Sequence, residues 1–185
     1  MATKELSIGI IFNFSKNWFG GVNYIINIIK ILNTLPSNEK PDLTVFYTKQ
    51  LSAELDKIKR LNYENIKFKE LNYYIPRGLN YLLSILFNKN YFFKKEFENF
   101  NSIYPFNDLP AYQITNVKLV SWIPDFQHKF YPNYFNKAHL ILREFKFKKI
   151  FKHSDITILS SKDSQDSLLN FYEYNRSVVV PFVSF

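Results

Sequence analysis

Strand-length apolar runs alternate with segments of helical periodicity along most of this chain, and that order limits its architecture more than any single residue does. Residues 6–12 form the first apolar run, followed by a polar and aromatic loop over 13–19 and then Gly20-Gly21. From 22 to 35, Val22, Ile25, Ile26, Ile29 and Leu32 recur at the spacing of one helix face, until Pro36-Ser37-Asn38 stops the helix. The pattern repeats with strands predicted over 43–47 and 66–71 and helices over 52–61 and 78–87. Between 92 and 100 Phe and Lys alternate without a clean period, and 102–105 reads as a short strand before a Pro-containing loop. A buried strand over 117–123 leads into a long loop through Asp125, His128 and Pro132. The longest helix is predicted over 136–152. It is followed by a strand over 155–159, a helix over 162–172 and a last strand over 178–180 broken by Pro181.

Strands that alternate with helices imply a parallel sheet covered on both faces, here one α/β domain over 1–185. Right-handed crossovers make it a doubly wound, Rossmann-like sheet, and such sheets bind ligands in the crevice beyond the carboxyl ends of their strands. Three marked segments fall at those ends: Gly20-Gly21, the stretch 124–132 and Ser160-Ser161. A hydrophobic fraction of 46% supplies a core and excludes a disordered chain. The chain has no cysteine, which excludes a disulfide framework and a thiolate metal site, and its three scattered histidines make no zinc set.

Gly20 and Gly21 permit positive φ and close approach of a ligand to the backbone, and the helix after them presents free N–H groups suited to a phosphate. They match neither the dinucleotide fingerprint nor the Walker loop, and a plain tight turn is the alternative. Asp125 and His128 lie close enough in the chain to share a pocket, where an acidic group or an imidazole can serve an acceptor hydroxyl as general base. The plainer reading is that Asp125 opens a turn and His128 is a loop residue. Ser160 and Ser161 can contact a phosphate or sugar hydroxyl, or cap the following helix.

The net charge of +8 favours anionic partners, although the abundance of Lys, Asn, Ile, Phe and Tyr also fits a compositional bias. Residues 135–153 interleave Phe and Lys, a pattern that either docks on an anionic membrane surface or packs one helix face on the sheet. No nucleic-acid recognition motif is present, and no nucleic-acid partner is expected. No secretory leader pattern opens the chain and no apolar run is long enough to cross a bilayer, so the expected location is cytoplasmic, at most peripheral at the inner face of the membrane.

Three segments carry a resemblance to a known family. They are Ile8-Gly-Ile-Ile-Phe-Asn with Gly20-Gly21-Val, Val120-Ser-Trp-Ile-Pro-Asp-Phe-Gln-His with Tyr131-Pro-Asn-Tyr-Phe, and His153-Ser-Asp-Ile-Thr-Ile-Leu-Ser-Ser-Lys-Asp. In that order they resemble the N-terminal domain of retaining GT-B glycosyltransferases of family 4, the glycosyl transferases group 1 relatives. The resemblance implies transfer of a sugar from a nucleotide-sugar co-substrate to a glycan or lipid-linked acceptor, without a further cofactor and without a metal, in cell-surface polysaccharide assembly. It also implies site roles for Gly20, Gly21, Asp125 and His128. Many relatives carry His-Asp where this chain has Pro124-Asp125. The family's donor-binding half, with its basic phosphate clamp and Glu-x7-Glu signature, does not appear within these 185 residues, so the fragment alone is expected to be inactive. The alternative is a membrane-peripheral or anionic-ligand binding module without catalysis.

Overall fold

The computed structural model describes residues 6–15, 18–71, 79, 83, 95–107 and 116–182. Seven parallel strands form one sheet: β1 (Ser7–Phe12), β2 (Asp42–Tyr47), β3 (Ile66–Glu70), β4 (Ser102–Tyr104), β5 (Lys118–Ile123), β6 (Ile156–Leu159) and β7 (Ser177–Val179). The helices are α1 (Phe19–Asn33), α2 (Ser52–Lys59), the single turn α3 (Gln127–Phe130), α4 (Lys137–His153) and α5 (Lys162–Tyr172). Short 3-10 turns occupy Lys49–Leu51, Lys95–Asn99 and Pro132–Tyr134. The helix predicted over 78–87 falls outside the described residues, apart from helical Leu79 and Leu83. No helix among the described residues is long and apolar enough to cross a membrane.

The strand order is β3-β2-β1-β4-β5-β6-β7, so the chain winds outward from β1 to one edge and then returns to wind toward the other. This is the doubly wound, Rossmann-like sheet expected from the alternation of elements, and its topological switch point lies between β1 and β4. The register sets Ile10 beside Val45 on β2 and Tyr104 on β4, which fixes the side of the sheet each residue faces.

Two sets of side chains leave the sheet in opposite directions, because successive residues of a strand alternate between faces. Ile10, Phe12, Leu43, Val45 and Trp122 pack with Val22, Ile25 and Ile29 of α1 and Leu55 and Ile58 of α2. On the other face, Ile123 and Leu159 pack with Ile150 and Phe151 of α4 and Leu168 of α5. Ile11, Phe46, Ile103 and Leu119 form a third group around Phe97 and Phe106. Strands buried on both faces read as continuous apolar runs, as the sequence of β1 does.

The helix after β1 begins earlier than its periodicity indicates. Gly20 and Gly21 lie inside the first turn of α1, and among the described residues no glycine has positive φ. The expected left-handed turn at this pair is therefore corrected to ordinary helix. Close packing explains Gly21 instead: a Cβ there would stand 2.6 Å from the Trp18 ring, and something would have to shift. Gly20 has no such constraint, since a Cβ there would meet its nearest neighbour at an ordinary 3.5 Å.

Candidate functional site

A cleft of about 600 Å³ opens at the carboxyl ends of β1, β4 and β5, at the switch point of the sheet. The segment after β1 supplies Asn13, Phe14, Ser15 and Trp18, and the segment after β4 supplies Pro105 and Asn107. Pro124, Asp125 and Gln127 follow β5. One flank of α4 closes the cleft with Leu142, Arg143, Lys146, Phe147 and Ile150. Two cations and one carboxylate thus share a wall that is otherwise aromatic, aliphatic and neutral polar.

Aromatic packing fixes the floor. Trp122, at the end of β5, is fully buried and stacks on Tyr24 of α1 with ring centroids 4.1 Å apart. Its indole N–H donates to Ser160 Oγ over 3.0 Å, so the one polar atom of the buried ring is satisfied. Trp18 stacks on the same indole at 5.4 Å, with Phe14 edge-on to both rings. Gly21 leaves the space that Trp18 fills.

Asp125 is half-buried and lines the cleft. One of its oxygens accepts from Gln127 N–H over 3.1 Å, a local bond that starts α3 and fixes the side chain at the rim. Its remaining lone pairs are available to an incoming hydroxyl. On α4, the Arg143 guanidinium lies 4.8 Å from the Phe135 ring centroid and is held there by cation–π attraction.

His128 is placed elsewhere. Its side chain is buried on the far side of the loop and does not line the cleft, so the shared pocket expected for Asp125 and His128 does not form. His128 lies within the single turn of α3, where Glu144 of α4 and Tyr172 of α5 take up its ring, while Asp125 precedes that turn at the cleft rim. His128 Nε2 lies 3.0 Å from Glu144 Oε1 and 3.3 Å from Tyr172 Oη, and its ring meets Phe147 edge-on at 5.2 Å. The same Glu144 oxygen accepts from Tyr172 O–H over 2.9 Å and from Lys129 Nζ over 2.7 Å.

Burial lowers the His128 pKa, and the hydrogen bond to Glu144 only partly opposes it. Burial also works to raise the Glu144 pKa, but hydrogen bonds from Lys129, Tyr172 and His128 outweigh it and the net shift is downward. A neutral imidazole beside an ionised carboxylate must donate through Nε2–H, because the carboxylate only accepts. That leaves Nδ1 unprotonated, buried and without a partner. The cluster is a clasp that ties the loop after β5 to α4 and α5.

The other predicted positions are also set by the fold. Ser160 is buried against the Trp122 indole, and Ser161 caps α5 by accepting from Ser164 N–H over 3.0 Å. Neither serine nor either glycine lines the cleft, which leaves Asp125 as the one predicted site residue that does. The sequence reading missed Arg143 and Lys146, which are hidden in a run where Phe and Lys alternate. It also missed Trp18 as a wall of the site, although Trp18 stands immediately before α1 in the segment that joins it to β1.

Among the described residues, no group of three or more His, Cys, Asp or Glu side chains is gathered to hold a metal ion. No family model matches this chain, and no curated protein is detectably similar to it.

Proposed function

We propose that this chain is the acceptor-side domain of a retaining GT-B glycosyltransferase. It would hold a glycan or lipid-linked acceptor in the switch-point cleft while a donor-binding domain presents the nucleotide-sugar. The observation that carries the reading is the mixed wall of that cleft. A sugar ring offers apolar C–H faces and a rim of hydroxyls. Trp18, Phe14 and Phe135 suit the faces, and Asn13, Asn107, Gln127 and Asp125 suit the rim. Arg143 and Lys146 suit the phosphate of a nucleotide-sugar or of a lipid-linked acceptor.

Within this reading Asp125 accepts a hydrogen bond from the acceptor hydroxyl and holds its oxygen toward the donor. Fixing two reactants in this way supplies much of what a transferase must provide, by removing translational and rotational freedom before the chemical step. Transfer itself belongs to the two-domain enzyme, and the single domain is expected to bind without turnover.

Ligand-observed saturation-transfer NMR on the full chain tests the proposal, with neutral disaccharides and uridine- and guanosine-diphosphate sugars as probes. A saccharide from the panel should receive magnetisation, and Asp125→Asn should weaken its binding about tenfold, the scale of one charge-assisted hydrogen bond. The reading fails if no saccharide responds, or if Asp125→Asn binds as the parent chain does.

A further inference from the structure

Helix α4 packs one side on the sheet and α5, and its other side mixes exposed apolar and cationic side chains. Phe147, Ile150 and Phe151 turn inward to β5, β6 and α5. On the opposite side, at helical spacing, lie Lys137, Ile141, Phe145, Lys148 and Lys152. Ile141 is 69% exposed, and Leu142 on its flank is 48% exposed. Just before the helix, Tyr134 is 84% exposed and stacks on the exposed Tyr131 ring with centroids 5.9 Å apart.

The charge on this helix is one-sided. Lys137, Arg143, Lys146, Lys148, Lys149 and Lys152 stand against one acid, Glu144, and that acid is occupied by Lys129, His128 and Tyr172. Arg143 and Lys146 belong to the cleft, while Lys137 is exposed one turn before Ile141 and Lys148 and Lys152 are exposed about two and three turns after it. Lys149 Nζ lies 5.4 Å from the ring centroid of the half-buried Phe145. An aliphatic residue and tyrosines flanked by lysines match a lipid interface, where apolar groups enter the acyl boundary and ammonium groups meet phosphates.

We infer that the outer side of α4, with Tyr131 and Tyr134, docks this protein on an anionic phospholipid surface through Ile141 and its flanking lysines. The same helix forms a wall of the cleft, so docking places the cleft mouth beside the headgroups. The inference is independent of the sugar reading and stands or falls on lipid binding alone.

Co-sedimentation of the full chain with vesicles tests it, using phosphatidylcholine alone and three parts phosphatidylcholine to one part phosphatidylglycerol. The chain should pellet with the anionic vesicles only and be released by high salt, which screens the lysine–phosphate attraction. Ile141→Asp should lower partitioning about tenfold, and Lys148→Gln/Lys152→Gln should do so by a similar factor. Both variants alter exposed side chains, and an unchanged thermal melt shows that each is folded. Equal pelleting with neutral and anionic vesicles, or full binding by both variants, overturns the inference. A concentration-dependent dimer that Ile141→Asp abolishes in the absence of vesicles also overturns it, and would assign the face to a second copy of the chain.

Discussion

The segment after β5 passes from the cleft into the interior within a few residues, and its two acid–base residues sit in opposite surroundings. At the cleft end, Asp125 makes one local hydrogen bond and otherwise faces open space. Three residues later, His128 is 3% exposed and wedged among Phe126, Phe147 and Tyr172, with its Nε2 on Glu144. A residue held mainly by neighbours in sequence can be changed with little cost to the fold. A residue on which three elements converge cannot. Asp125 is therefore the position where substitution should alter binding, and His128 the position where it should alter stability.

The largest expected effect is from His128→Ala. It empties a buried aromatic site and removes a donor from a partly buried carboxylate, with an expected loss of about 2–4 kcal/mol in urea unfolding. If Asp125→Asn costs as much, the contrast between the two ends of the loop is broken.

Acid should act through the same clasp and through His153 near the end of α4. Burial, helped by nearby Lys152 and Lys149, lowers the His153 pKa to about 4, and burial lowers that of His128 as well. The unfolded chain therefore takes up protons near the ordinary value of 6.5 while the folded chain resists them. The stability contributed by these residues is complete above about 6.5 and is lost as the pH falls, for His153 down to about 4 and for His128 in the same direction. Glu144, also lowered, adds a loss of the same sign at still lower pH. Urea midpoints measured from neutral pH down to about 4 should fall steadily. His128→Gln should start lower and fall less steeply, and a flat parent profile would remove His128 and His153 from the account.

Gly21→Ala forces the Trp18 ring off its seat, and overpacking of this kind costs roughly 1–3 kcal/mol. The displaced indole should shift the tryptophan emission. Gly20→Ala is the control one residue away: it meets only ordinary contacts and should leave both stability and emission nearly unchanged. Tyr172→Phe removes one of the donors to Glu144 and should cost about 1 kcal/mol, which sharpens how much of the clasp is hydrogen bonding rather than packing. The smallest effect is from Asp125→Asn, expected within about 0.5 kcal/mol of the parent.

Local pattern was enough to set out the fold. Apolar runs in β1, β2 and β5 and helical spacing in α1 and α5 report burial on a sheet, and burial follows from period alone. Ser161 was legible as a cap because the capping bond joins residues three apart. The position of the cleft followed from chain order, since an open parallel sheet has its crevice where the winding reverses.

Which residues enter that cleft was not legible, because the answer depends on partners distant in sequence. Asp125 precedes α3 and stays at the cleft rim, while His128 inside α3 is taken up by α4 and α5. The carboxylate that claims His128 is 16 residues further along, and the tyrosine that shares it is 44 residues away. Gly21 looked like a phosphate turn because a glycine pair marks conformational freedom, but its use is to admit the ring of Trp18, which then stacks on Trp122. Sequence determined the alternation of elements and the cap of α5, which are governed by contacts within a few residues, and through that alternation it implied the parallel sheet, whose pairs are far apart in the chain. Tertiary structure alone decided which polar side chains were consumed inside and which were left facing the cleft, because desolvation acts on a group only when distant parts of the chain close around it.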